Sequence, residues 1–219
     1  MGETIMEELP LFMQRDGSDV RKFRTDFCTK INEETRTKIF KMYDPVDNIK
    51  ALTQEQFEMW KGTDSSSTAW FWDVFYKTDD VSRAQRIFGK NSAPVWANGR
   101  AYGLYNEMSF LNHSCDANAF QSQEEMKKLK LKLKALKNIE KNEEIVTNYF
   151  RNRDEFKNGT KESRRQKLLE TYGFNCLCSV CLEGQAPKPM YQMQWVSRLG
   201  SKEEEALEKM MAGHLDSQG

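Results

Sequence analysis

Cys176-x-Cys178-x-x-Cys181 places three thiols within six residues. Thiolates so spaced can all reach one ion, because Zn–S bonds are about 2.3 Å and a tetrahedral zinc accepts tight loops. One coordination position then remains, and Cys28, Cys115, His113 and His214 are the ordinary candidates for it. The same spacing also admits a redox pair at Cys178 and Cys181, or buried free thiols. A second constellation, Asn112-His113-Ser114-Cys115-Asp116-Ala117-Asn118, follows the apolar Phe110-Leu111. His113 and Cys115 could form a catalytic dyad, but such dyads usually come from separated segments, and a thiolate ligand is the better use of Cys115. A third residue, Tyr149, stands near the end of an apolar stretch and by itself reads as a half-buried strand residue.

These residues need elements to hold them. Residues 3–9 have strand character and Pro10 ends them. From Asp19 to about Lys90 the chain reads helical. Asn32 can cap a helix through Lys41, with Ile39, Phe40 and Met42 apolar, and Asp44-Pro45 stops it. Thr53 and Gln56 form a capping-box pattern, residues 62–67 a loop, and residues 68–76 a buried helix. Asp79 or Asp80 can cap one more helix that turns Val81, Ala84, Ile87 and Phe88 inward. Residues 94–105 look like loops with short strands. Residues 128–136 alternate Lys and Leu, as a strand with one buried and one wet face does. Asn138 to Asn142 turns the chain, and Glu144 to Phe150 reads as a second strand. After a polar loop, Glu162 to Tyr172 is a basic helix closed by Gly173. Pro187 and Pro189 mark a linker, and residues 201–214 can form a terminal helix.

Composition excludes several classes. Lys+Arg and Asp+Glu balance at 33 each, so no global charge draws the chain to nucleic acid or membrane. The lysines of residues 127–134 alternate with Leu and read as a solvated strand face, so no direct nucleic-acid binding is expected. No apolar run approaches the roughly 20 residues that span a bilayer, and no membrane partner is expected. Five Trp and thirteen Phe argue against disorder. An odd cysteine count without a secretory signal points to a reducing compartment, in the nucleus or the cytoplasm.

Three motifs stand in a telling order: Asn112-His113-Ser114-Cys115-x-x-Asn118, then Glu143-Glu144-Ile145 with Tyr149, then Tyr172-Gly173-Phe174-x-Cys176-x-Cys178-x-x-Cys181. In that order the chain resembles the SET-domain lysine methyltransferases. Gly103-Leu104-Tyr105 and Ser109-Phe110-Leu111 look most like the SET–MYND branch and its MYND-less fungal-type relatives. The resemblance covers residues 91–182 well, residues 2–12 more loosely, and residues 18–90 only as an insertion. No MYND finger is expected, since only Cys28 precedes Cys115.

The resemblance implies an α+β SET-type fold of short strands and small sheets, with a helical insertion and a C-terminal zinc-binding post-SET segment. Its divisions would be residues 1–17, a remnant of the first SET segment; 18–90, the insertion; 91–160, the SET core; 161–183, the zinc segment; and 184–219, a linker with a helix. It implies S-adenosylmethionine as cofactor and a protein substrate presenting a lysine, a histone or otherwise. By analogy Asn112 and His113 would hold the cofactor, Phe174 would pack on its adenine, and Asn91 would add a contact. Tyr149 would stand beside the transferring methyl. Cys115 becomes the fourth zinc ligand with Cys176, Cys178 and Cys181, closing the lid that carries Phe174. The family's Gly-x-Gly segment lies ahead of the strand that begins here at Glu3. The chain is therefore expected to be a fragment, or to have lost part of its cofactor site. In that second case it would be a weak or inactive SET module acting as a zinc-stabilised protein-binding domain. Ala117 stands where the family usually has Pro, and Asn142 where it has Gly; Asn tolerates a positive φ.

Overall fold

An alternating Leu–Lys stretch can bury one face of a strand and wet the other, and here it forms the centre of a sheet. The computed structural model describes residues 2–15, 20–46, 77–95, 101–123, 129–150 and 159–183. The central strand β7 (Leu131–Ala135) pairs antiparallel with β1 (Thr4–Glu8) on one side and β6 (Ala119–Ser122) on the other. Leu131 and Leu133 are fully buried, with Met13, Val95, Ala101 and Tyr105 in the same core. On the wet face Lys130 and Lys132 meet Glu7 at 3.0 and 3.2 Å. Such exposed pairs add little stability, but they occupy the lysines.

A second sheet has the order β2 (Phe12–Arg15), β4 (Ala101–Leu104), β3 (Ala93–Pro94). Gly103 lies where the strands crowd: a Cβ there would meet Val95 Cγ2 at 2.8 Å and Tyr105 Cε2 at 2.9 Å. The third sheet is a short parallel pair, β5 (Asn112–His113) with β8 (Val146–Thr147).

The helical part rests on these sheets. In α1 (Val20–Lys30), Phe23 and Phe27 turn toward Phe12 of β2, with ring centroids 5.3 and 6.4 Å away and edge-to-face. Asn32 caps α2 (Glu33–Phe40) by accepting from Thr35 N. Asp79 caps α3 (Asp80–Asn91), taking both the amide and the hydroxyl of Ser82. Ala84 and Ile87 face inward as the periodicity predicts, with Val81 and Phe88 packed at the margin. Asp44 ends the segment after α2 and is buried against Arg86, whose Nε and a terminal nitrogen donate at 3.1 and 3.0 Å. A buried pair needs such two-pronged geometry to offset its desolvation.

Beyond the sheets come a 3-10 turn (Glu107–Phe110), α4 (Lys161–Tyr172) and α5 (Ser179–Glu183). Thr160 caps α4, and Gly173 closes it in the left-handed region at φ 73° and ψ 25°. The outcome is an α+β molecule of short strands, as expected.

Some expectations change. The strand expected over residues 144–150 contracts to Val146–Thr147 and runs parallel to β5. Backbone amides in and after it donate to side chains: Val146 N to Asn118 Oδ1, Tyr149 N to His113 Nδ1, and Phe150 N to Asn148 Oδ1. β2, beyond Pro10, was not foreseen. The capping box at Thr53 and Gln56, the loop at 62–67, the helix at 68–76, the linker and the terminal helix at 201–214 lie outside the described residues.

Candidate active site and metal centre

Strand β5 delivers His113, and the turn after it brings Cys115 inward. Gly173 then reverses the chain after α4 so that Phe174 and Cys176 return toward β5. In α5 the amides of Cys181 and Leu182 both donate to Cys178 O at 2.9 Å, setting Cys178 and Cys181 on one turn. The four sulfurs of Cys115, Cys176, Cys178 and Cys181 lie within 4.8 Å of one another, with Cys115 and Cys181 at 3.5 Å. A tetrahedron of sulfurs at a Zn–S distance of about 2.3 Å has edges of about 3.8 Å. The group could therefore hold one metal ion, and all four thiols are free of disulfides. Cys28 is exposed on α1 and stands apart; His214 lies outside the described residues.

The thiols compete for charge. Hydrogen bonding from the Cys115 thiol lowers Cys176, and the His113 ring and Cys178 contribute. The same contact with Cys176, together with burial, raises Cys115. Burial pushes Cys181 up to about 11. Without a cation these thiols resist being ionised together.

An aromatic group adjoins the thiols. The Tyr149 ring lies 5.2 Å from His113, 4.9 Å from Tyr172 and 6.4 Å from Phe174, and Phe174 is 6.1 Å from His113. Tyr149 donates its hydroxyl hydrogen to Leu111 O at 2.7 Å. Burial, then the neighbouring Tyr172 and Glu144, push its phenol up to about 12. It therefore stays protonated through the neutral range.

Asn112, His113, Tyr149, Phe174 and the four cysteines are thus brought into one neighbourhood. Asn112 donates to Glu144 Oε1 at 2.7 Å from an exposed position. Asn91 ends α3 and gives its amide hydrogens to Tyr43 O and Ile87 O at 2.8 and 2.7 Å, which leaves Oδ1 for any ligand. Tyr43 in turn donates to Tyr172 O at 3.2 Å.

Other residues carried no assigned role in the sequence reading. Tyr172 packs between Tyr149, Phe150 and Phe174. Lys90 donates to Thr171 O and lies 5.8 Å from the Tyr172 ring centroid, and burial pulls its amine down to about 8. Asn118 is saturated: it donates to Glu143 Oε1 and Glu144 O at 2.9 and 2.8 Å and accepts from Val146 N at 2.9 Å. It thereby fixes the turn in which Asn142 adopts φ 68°. The signal for Asn118 was its place in the motif; no spacing rule shows what it binds.

A family model described as SET domain matches residues 2–150. A SET and MYND domain-containing protein of Dictyostelium discoideum is 34% identical over 87 residues, 40% of this chain and 16% of that protein. A histone-lysine N-methyltransferase of Arabidopsis thaliana is 40% identical over 77 residues, 34% of this chain and 15% of that protein. A histone-lysine N-methyltransferase of Candida glabrata is 39% identical over 111 residues, 50% of this chain and 20% of that protein. The matched stretches thus span a fifth or less of these curated relatives. Among the described residues no helix is long and apolar enough to cross a membrane.

Proposed function

Since the chain belongs to the SET-domain family, we propose that it transfers a methyl group from S-adenosylmethionine to a lysine side chain of a protein, histone or non-histone, inside the cell. The observation that carries this reading is the Tyr149 hydroxyl, neutral and aimed at Leu111 O within the aromatic group. Grouped electron-rich rings suit both a flat purine and a sulfonium cation, so these residues fit the cofactor. Asn112 and His113 would hold it, Phe174 would pack on its adenine, and Asn91 would offer Oδ1. When bound, the cofactor supplies an electrophilic methyl on sulfur.

The chain's own residues would do the rest. A lysine amine has a free pKa near 10.4, so it must lose its proton before it can attack. With substrate and cofactor in place, the half-buried rings of Tyr149, Tyr172 and Phe174 would help exclude water and disfavour the ammonium form. Tyr149 has already given its hydrogen to Leu111 O. What it presents to a substrate is an oxygen lone pair, which can accept an amine N–H and turn the nitrogen lone pair toward the methyl. Alignment of this kind supplies much of the acceleration in such transfers. Cys115, Cys176, Cys178 and Cys181 would hold zinc, whose role is mechanical: it fastens the segment bearing Phe174 to β5.

The Tyr149→Phe variant tests this. Methyl transfer to protein lysine should fall by about 10²–10³-fold, the usual cost of one well-placed polar group, with zinc content unchanged. Unaltered turnover removes Tyr149 from its role. If no in-frame Gly-x-Gly segment precedes Met1 and the wild-type chain shows no cofactor binding by calorimetry, the enzyme reading of this chain fails.

A further inference from the structure

A neutral imidazole has one nitrogen that accepts and one that donates, and the partner of the first decides the identity of the second. His113 Nδ1 faces the backbone N–H of Tyr149 at 3.1 Å, so Nδ1 accepts and carries no proton. The ring hydrogen then sits on Nε2. That nitrogen lies 3.6 Å from Cys115 Sγ, and the ring also meets the Cys176 thiol. A thiolate that binds metal keeps lone pairs directed outward and accepts such an N–H, and partners of this kind hold a metal site in shape.

We infer that His113 is a positioning residue that joins two sites: Nδ1 holds the backbone of Tyr149, and Nε2–H donates to the metal-bound sulfurs of Cys115 and Cys176. This rests on reading the four thiols as a metal centre. The ring is then engaged on both edges, and any service of His113 to the cofactor falls to its main chain. The residue ties the placement of Tyr149 to the occupancy of the thiol cluster, because one rigid ring touches both. Neither Asn112 nor Phe174 makes such a link: Asn112 turns to Glu144, and Phe174 has no polar atom in its side chain.

The full chain loaded with cadmium-113 tests the inference by magnetic resonance. His214→Gln leaves His113 as the one histidine. The expected result is an imidazole protonated at Nε2 only, with scalar coupling from that hydrogen to the cadmium nucleus through sulfur. An Nδ1-protonated or doubly protonated ring, or an absent coupling with cadmium bound, overturns the inference and leaves the metal reading intact. A chain that binds no cadmium overturns both. A second measurement separates the strut from mere packing. His113→Gln keeps an amide N–H within reach of the sulfurs and should retain metal affinity in chelator competition. His113→Asn falls short of them and should lose about 10–100-fold. Equal losses in the two variants, or none in either, sink the proposal.

Discussion

The helical core and the thiol core of this molecule are held together by different forces. The first gathers Phe12, Phe23, Phe27, Ile31, Ile39, Met42, Ala84, Ile87 and Leu104. Each of these side chains larger than Ala84 contributes on the order of 1.5–3 kcal/mol by leaving water, and the aromatic pairs add edge-to-face contacts. The second gathers Cys115, Phe150, Leu168, Cys176, Val180 and Cys181, so half of its buried members are thiols. Its apolar mass is small, and its four sulfurs lie close enough together to hold one metal ion. One region rests on packing alone. The other, on the function proposed above, rests on an ion as well.

The sharpest way to break this contrast is to remove the ion. Chelation, or Cys115→Ala, should withdraw on the order of 10 kcal/mol from the cysteine segment. Hydrogen exchange should then accelerate across residues 172–183 while α1 and α2 keep their protection. Uniform acceleration would show that the two cores are one cooperative unit. Next in size is Phe27→Ala, which empties a fully buried position and should cost about 3–5 kcal/mol. Denaturant titration should register the loss, and metal analysis should still find about one zinc per folded chain. The smallest effect belongs to Lys90, at the seam between the regions. Burial pulls its amine down to about 8 from the ordinary lysine value of 10.5, so between these values the unfolded chain binds more protons. Lys90 therefore contributes a gain in stability as pH rises from 8 to 10. Denaturant titrations of wild type and Lys90→Met across that window should diverge, with the variant flatter; parallel curves would show that the amine is solvated.

Much of this was legible in the sequence where a local rule applies. The Leu–Lys alternation, the caps at Asn32 and Asp79, the closing Gly173 and the positive φ at Asn142 follow from chain geometry over a few residues. The cysteine spacing named three of the thiols, and the order of motifs supplied Cys115. What the sequence could not show are side-chain bonds to distant backbone. Asn118 takes over the amide of Val146, so a stretch with strand propensity shortens to two residues. Lys90 reaches Thr171 O across 81 positions, and Glu8 meets the amides of Glu107 and Met108 from a separate strand. Tyr172 lay inside a recognised motif, yet its place beside Tyr149 depends on where α4 docks.

The sulfur of Cys115 meets that of Cys181 across 66 positions of chain. In a compact zinc finger all ligands come from one short stretch, and the ion can gather them before anything else is formed. Here residues 176–181 can offer only three thiolates, and the fourth arrives when β5 has found its place. Closing so long a loop carries an entropic cost that β-sheet pairing must meet first. If zinc is the occupant, tight uptake must come late in folding, and an ion held with full affinity would certify that the distant halves have already met.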